Sequence, residues 1–193
     1  MSVSKTLFIT TLLLAASFAG SAQYIRRYTV ALTVTNPLSA TFKYGGGIEN
    51  RFGNVAYMVT YNKYYKSLYQ GEEMDLDVRV YLRKRWIYSR NNWSYQNFLY
   101  GRGIIGGAAF VGPNLTALGY ENAAVLPEQA YLGGSMGIGR RYSKNIFFAT
   151  VRAGLRVIVL PDLTSENKDF YRLFYVTGPG SVLELNFQFG IQI

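Results

Sequence analysis

From Leu183 to Ile193 the odd positions read Leu, Leu, Phe, Phe, Ile, Ile, and the even positions Glu, Asn, Gln, Gly, Gln. This is period two without an exception. In an extended chain it makes one face wholly apolar and the other wholly polar. About ten residues is also the length a tilted strand needs to cross a bilayer. A strand that closes a barrel is paired on both edges, so the pattern predicts a closing strand.

The same period recurs along the chain. Tyr28, Val30, Leu32 and Val34 alternate with Thr29, Ala31, Thr33 and Thr35, and Asn36-Pro37 ends the run. Phe42, Tyr44, Gly46 and Ile48 alternate with Lys43, Gly45, Gly47 and Glu49 up to a tight turn at Arg51-Phe52-Gly53-Asn54. Val55, Tyr57, Val59 and Tyr61 form the apolar face of a third strand. In the fourth, Met74, Leu76, Val78, Val80 and Leu82 oppose Asp75, Asp77, Arg79, Tyr81 and Arg83, after a break at Gln70-Gly71-Glu72-Glu73. Charges of both signs on one face make poor sense against lipid and good sense in a narrow interior where they can pair.

Arg85 to Trp93 reads as a basic, aromatic turn. Tyr95 to Ala109 is strand-like, and placing Arg102 inward puts Leu99, Gly101, Gly103 and Ile105 outward. Leu132, Gly134, Met136 and Ile138 alternate with Tyr131 to Gly139, and a turn is predicted from Arg141 to Asn145. Phe147 to Val157 alternates with Thr150, Arg152, Gly154 and Arg156. Val111–Val125 and Pro161–Gly180 are long loops. The expectation is all-β: an antiparallel up-and-down transmembrane barrel of about eight strands, with short turns at one end and mostly longer loops at the other.

Residues 1–22 read as a signal peptide: Lys5, an apolar run from Leu7 to Ala16, and small residues at Gly20-Ser21-Ala22. Residues 23–193 then form the barrel domain. The composition agrees, with 17 Tyr, 12 Phe, 20 Gly and no Cys. Aromatic-rich, Gly-rich and exported without cysteine fits an outer-membrane barrel better than a disulfide-stapled domain.

With these residues in place the chain resembles the small eight-stranded outer-membrane proteins of the OmpX/OmpW type, and small outer-membrane barrels of Bacteroidota-like bacteria. The carriers are the signal ending at Ala22-Gln23, the Gly-rich second strand with its Arg51-Phe52-Gly53-Asn54 turn, and Gly178-Pro179-Gly180 leading into Leu183 to Ile193. The resemblance implies location in the outer membrane of a Gram-negative cell. Many such barrels end in an aromatic residue read by the insertion machinery; here Ile193 is last, with Phe187 and Phe189 upstream.

Candidate chemistry is sparse. Gly101-Arg102-Gly103-Ile104-Ile105-Gly106 fits the dinucleotide fingerprint, but no amphipathic helix follows, so it reads as a Gly-rich strand. Catalytic outer-membrane barrels generally use a His as general base, and the chain has none. Asp75 and Asp77 share a face with Arg79 and Arg83, so ion pairing, not acid–base work, is expected. No catalytic residue, cofactor or metal site is assigned. The predicted inward charges are Lys43, Glu49, Asp75, Asp77, Arg79, Arg83, Arg102, Arg152, Arg156 and Glu184, a structural network filling the barrel.

The net charge of +9 raises the question of partners. The short-turn end is expected to carry Arg26, Arg27, Arg51, Arg83, Lys84, Arg85, Arg90, Arg140, Arg141 and Lys144. The other end holds Glu72, Glu73, Glu121, Glu128, Asp162, Glu166 and Asp169. The expected partners are outer-membrane lipid, lipid phosphates or an acidic periplasmic partner at the basic rim, and a surface partner at the long loops, not nucleic acid. Two rivals stand beside a non-enzymatic structural or surface role. One is a soluble secreted barrel of lipocalin or avidin kind, with its charged face outward. The other is an accessory outer-membrane component of a transport or conjugation apparatus.

Overall fold

The computed structural model describes residues 26–36, 42–64, 69–82, 85–88, 93–110, 129–159 and 182–193. The predicted signal peptide and both long loops lie outside the described residues. The strands are β1 (Arg26–Thr35), β2 (Lys43–Phe52), β3 (Val55–Tyr64), β4 (Tyr69–Tyr81), β5 (Arg85–Tyr88), β6 (Trp93–Phe110), β7 (Gln129–Lys144), β8 (Phe147–Val159) and β9 (Leu183–Gln192).

Each wall strand pairs antiparallel with its chain neighbours, β1 pairs with β9, and β4 pairs with β6. Eight strands therefore close into an up-and-down barrel with no free edge, the fold class the alternation predicts. Short β5 pairs with the first residues of β6, on the edge that β4 occupies further along. At the seam the backbones of Tyr28 and Ile193 exchange two hydrogen bonds, of 3.2 and 2.8 Å. Asn36 holds the far end of the same seam. Its backbone N–H donates to the Leu185 carbonyl, and its side-chain oxygen accepts from the Leu185 N–H, both at 2.8 Å.

The apolar face is outside. Leu32, Met136, Val157 and Leu183 are each about two-thirds or more exposed, whereas Asp77, Arg79, Arg152 and Arg156 are buried. That orientation overturns the soluble-barrel rival, which needs charges outward. The interior is mainly polar, with two small apolar clusters, Ala56-Tyr81-Phe98-Tyr100 and Ala31-Met58-Phe148.

The strands run further than composition suggested. The segment Gln70 to Glu73, predicted as a break, lies within β4. Residues 141–144, predicted as a turn, complete β7, leaving Asn145-Ile146 as the hairpin loop. Asn145 takes a φ of 53°, which Asn tolerates better than most residues. Arg85–Tyr88, predicted as turn, is a strand paired with Trp93 to Tyr95. The β2–β3 turn narrows to Gly53-Asn54, with Gly53 at φ 57°.

Inward glycines let so narrow a wall coil and leave room for rings to lie across it. A Cβ on Gly139 would run into the Phe98 ring, and one on Gly154 into the Tyr100 hydroxyl. On Gly137 it would meet the Ala153 and Gly154 backbone, whereas on outward Gly101 it would meet nothing within 4 Å. Gly137→Ala is expected to cost about 1–3 kcal/mol by overpacking, and Gly101→Ala to stay within about 0.5 kcal/mol of wild type. Urea titration of the refolded barrel checks the pair.

Candidate functional site

The candidate site is the barrel interior. Among the described residues it buries six cations, Lys43, Arg79, Arg102, Arg141, Arg152 and Arg156, and five carboxylates, Glu49, Glu73, Asp75, Asp77 and Glu184. Period two explains how they arrive there: each occupies the inward parity of its strand. Most acids stand on β2 and β4, and most guanidiniums on β6, β7 and β8, so some pairs join neighbouring strands, as Arg102 and Asp77 do, and others cross the interior, as Arg141–Glu49, Arg152–Asp77 and Arg156–Glu73 do. Such buried pairs must offset a large desolvation cost, which they do only where further hydrogen bonds satisfy the remaining lone pairs and protons.

The network runs the length of the barrel. Towards the long-loop end, Glu73 receives both Lys43 and Arg156. The Tyr131 hydroxyl donates to the same carboxylate at 2.7 Å, and Tyr64 lies 2.7 Å from that hydroxyl. In the middle, Arg102 reaches Asp77 at 2.6 Å, Glu184 at 2.7 Å and Asp75 at 3.2 Å. Asp75 also accepts from Thr60 and Asn62, each at 3.0 Å, and Asn62 in turn accepts from Thr33 at 2.6 Å. Asp77 holds Arg152 as well, and Arg79 at 2.7 Å. Towards the short-turn end Arg79 passes to Glu49 at 2.8 Å, and Glu49 takes Arg141 and the Tyr81 hydroxyl, the latter at 2.9 Å.

Aromatic faces seat the guanidiniums that the carboxylates hold. Arg152 and Arg102 lie 5.1 and 5.8 Å from the Tyr100 ring centre. Arg79 lies 5.3 Å from Phe98, and Arg141 4.0 Å from Phe148. The charged and aromatic side chains of the interior thus bind one another.

Of the predicted inward charges, the structure brings together Lys43, Glu49, Asp75, Asp77, Arg79, Arg102, Arg152, Arg156 and Glu184. Arg83 lies outside the described residues. Sequence reasoning missed Glu73 and Arg141, which it placed on opposite rims; both are buried in the network. Continuing the parity of each strand by two residues would have found them.

Asp75 and Asp77 are both engaged by arginine, and no group of three His, Cys, Asp or Glu side chains among the described residues is placed to hold a metal. Gly101 to Gly106 lies within β6, without the helix that a dinucleotide site requires.

A closed eight-stranded barrel, apolar outside and ion-paired within, defines the class: a small transmembrane β-barrel of outer-membrane type. No protein-family model and no curated protein sequence matches the chain. Among solved structures it is similar to the N-terminal β-barrel domain of Pseudomonas aeruginosa OprF. That match has 12% identity and a TM-score of 0.53, and covers 86% of this chain and 97% of that one. It also matches Neisserial surface protein A (NspA), with 13% identity, a TM-score of 0.39, and 87% and 94% of the two chains covered. The OprF match shows a shared fold.

Proposed function

We propose that this protein is an integral outer-membrane barrel with a structural or surface-interaction role and no catalytic activity, its interior plugged by the charged network. One observation carries the reading: an ion-paired column from Lys43 to Arg141, joined between Glu73 and Arg102 by Arg156 at 4.0 Å from Glu184, lies inside a wall whose exterior is apolar. An eight-stranded barrel is just wide enough for side chains to fill. Every carboxylate in the column is held by a cation, which leaves none poised as a general base. The segments Val111–Val125 and Pro161–Gly180, which the sequence reads as long loops, would supply the surface for such a partner.

Cell fractionation and conductance test the proposal. The protein is expected in outer membranes, running faster on gels before heating than after. In planar bilayers it is expected to give no steady open-channel current; a stable ohmic conductance would refute the plug. In intact cells trypsin is expected to cut at Lys168 or Arg172 in the Pro161–Gly180 loop and to spare Arg83–Arg90. The reverse pattern would place the short turns outside the cell.

A further inference from the structure

We propose that the outer face of the β6–β7 hairpin, at the short-turn end, is a binding site for the headgroup of an anionic phospholipid, with Arg140 and Lys144 as its cations. The inference rests on the membrane-barrel reading above and names a lipid class that reading leaves open.

The register builds the site. Trp93 pairs with Lys144, Tyr95 with Tyr142, and Asn97 with Arg140, all on the outward parity of their strands. The result is a two-column ladder of cations and rings on one wall. Arg140 lies 5.0 Å from the centre of the Tyr95 ring, and Lys144 5.4 Å from that of Trp93. The Arg140 Nε–H donates to the Asn97 side-chain oxygen at 2.8 Å. That bond fixes the guanidinium plane and leaves its two terminal nitrogens for an outside acceptor, the fork that suits a phosphate.

Two contrasts among the described side chains set this pair of cations apart. At the other end of the barrel the outward cation Lys63 is neutralised by Glu72 at 3.1 Å. Arg140 and Lys144 have no carboxylate within salt-bridge reach among the described residues. Among the described side chains of the same rim, the outward residues Tyr28, Asn50, Val55, Leu82, Phe147 and Ile191 carry no charge.

The ligand must also be amphipathic. The next outward residues along the wall from Arg140 are Leu99, Ile138 and Val151, all exposed and apolar. A headgroup phosphate held by the cations places its acyl chains on that wall. Trp and Tyr are the side chains that accept such a boundary, with an apolar body and a polar tip. A free phosphate would gain nothing from it.

The two tryptophans of the chain, Trp86 and Trp93, permit a direct test. The Trp86→Phe variant of the full barrel, reconstituted in bilayers, reports on Trp93 alone. The probes are phosphatidylglycerol and phosphatidylethanolamine with brominated acyl chains, which quench a neighbouring indole. The expected result is about tenfold preferential association of phosphatidylglycerol at Trp93, lost in Arg140→Gln/Lys144→Gln and unaffected by millimolar inorganic phosphate. Heat-modifiable migration of the double variant checks that it folds. Equal quenching by both lipids, or a preference the double variant retains, would overturn the site. Loss of the preference on adding inorganic phosphate would overturn the lipid assignment in favour of a free anion. Trp93 shielded from both lipids, with dimers on gel filtration, would give this face to a second copy and overturn it too. A barrel that never inserts would bring down the membrane reading itself, an outcome distinct from insertion without lipid preference.

Discussion

Asp77→Ala is expected to destabilise the folded barrel by about 3–5 kcal/mol, among the largest effects of any single interior substitution. Asp77 is fully buried and receives three guanidiniums, from Arg79, Arg102 and Arg152. They do not lose equally. Arg79 keeps Glu49, and Arg102 keeps Asp75 and Glu184. Arg152 makes no other salt bridge among the described residues, and the Tyr100 ring beside it carries no counter-charge. The cost is therefore mainly that of one buried cation left without a counter-charge. Removing that cation as well should recover part of the loss. Asp77→Ala/Arg152→Leu is expected to be less destabilised than the sum of the single variants, by on the order of 1–3 kcal/mol. Reversible urea unfolding followed by Trp fluorescence and by heat-modifiable migration measures all four corners of the cycle. Single variants with wild-type midpoints would show that water, not protein, solvates these groups.

The faces of this barrel were legible because period two is a local property. Val78 lies between Asp77 and Arg79, and no knowledge of the fold is needed to see that it points the other way. The strand ends were harder to read. Gln70-Gly71-Glu72-Glu73 looks like a turn by composition, yet β4 begins at Tyr69 because β6 runs on to Phe110 and pairs with it. Gly71 suits that place for a packing reason: a Cβ there would collide with the Gly107 backbone. In the same way, Arg141 to Lys144 stay in β7 because β8 pairs with them as far as Phe147. Long-range pairing overrode local composition at both ends, and that is why Glu73 and Arg141 were assigned to the rims. The partners across the interior were not legible at all. Glu49 and Arg141 lie 92 residues apart and meet only because the sheet closes. Glu73 and Arg141 thereby belong to the interior and not to the two rims. Among described side chains at the short-turn end, Arg140 and Lys144 face outward, while Arg51 turns to Gln96 and the Tyr81 ring.

Arginine on the outer wall should be costly in proportion to depth, and Val78→Arg should lose about 2–4 kcal/mol. Val78 is the central member of the outward apolar run Met74, Leu76, Val78, Val80 and Leu82, whose last residue lies just past the end of β4. A strand tilted in a bilayer puts the middle of such a run near the midplane. There a guanidinium has neither water nor a carboxylate, since those of Asp77 and Glu73 point to the other face. At Leu82, the last of the run and close to the short-turn end, the same substitution should cost about 0–1 kcal/mol because the side chain can reach the headgroups. Leu185, one step from the centre of the outward run on β9, should fall between them. Spin labels at Val78 and Leu185 should be relaxed by oxygen dissolved in lipid, and a label at Leu82 also by an aqueous nickel reagent. The measurement is refolding equilibrium into lipid vesicles, compared across the three positions. Equal and negligible costs at Val78 and Leu82 would mean that the apolar wall does not face hydrocarbon, and a covering by another protein would have to be sought. A monotonic fall from Val78 through Leu185 to Leu82 would fix the depth of each strand in the membrane.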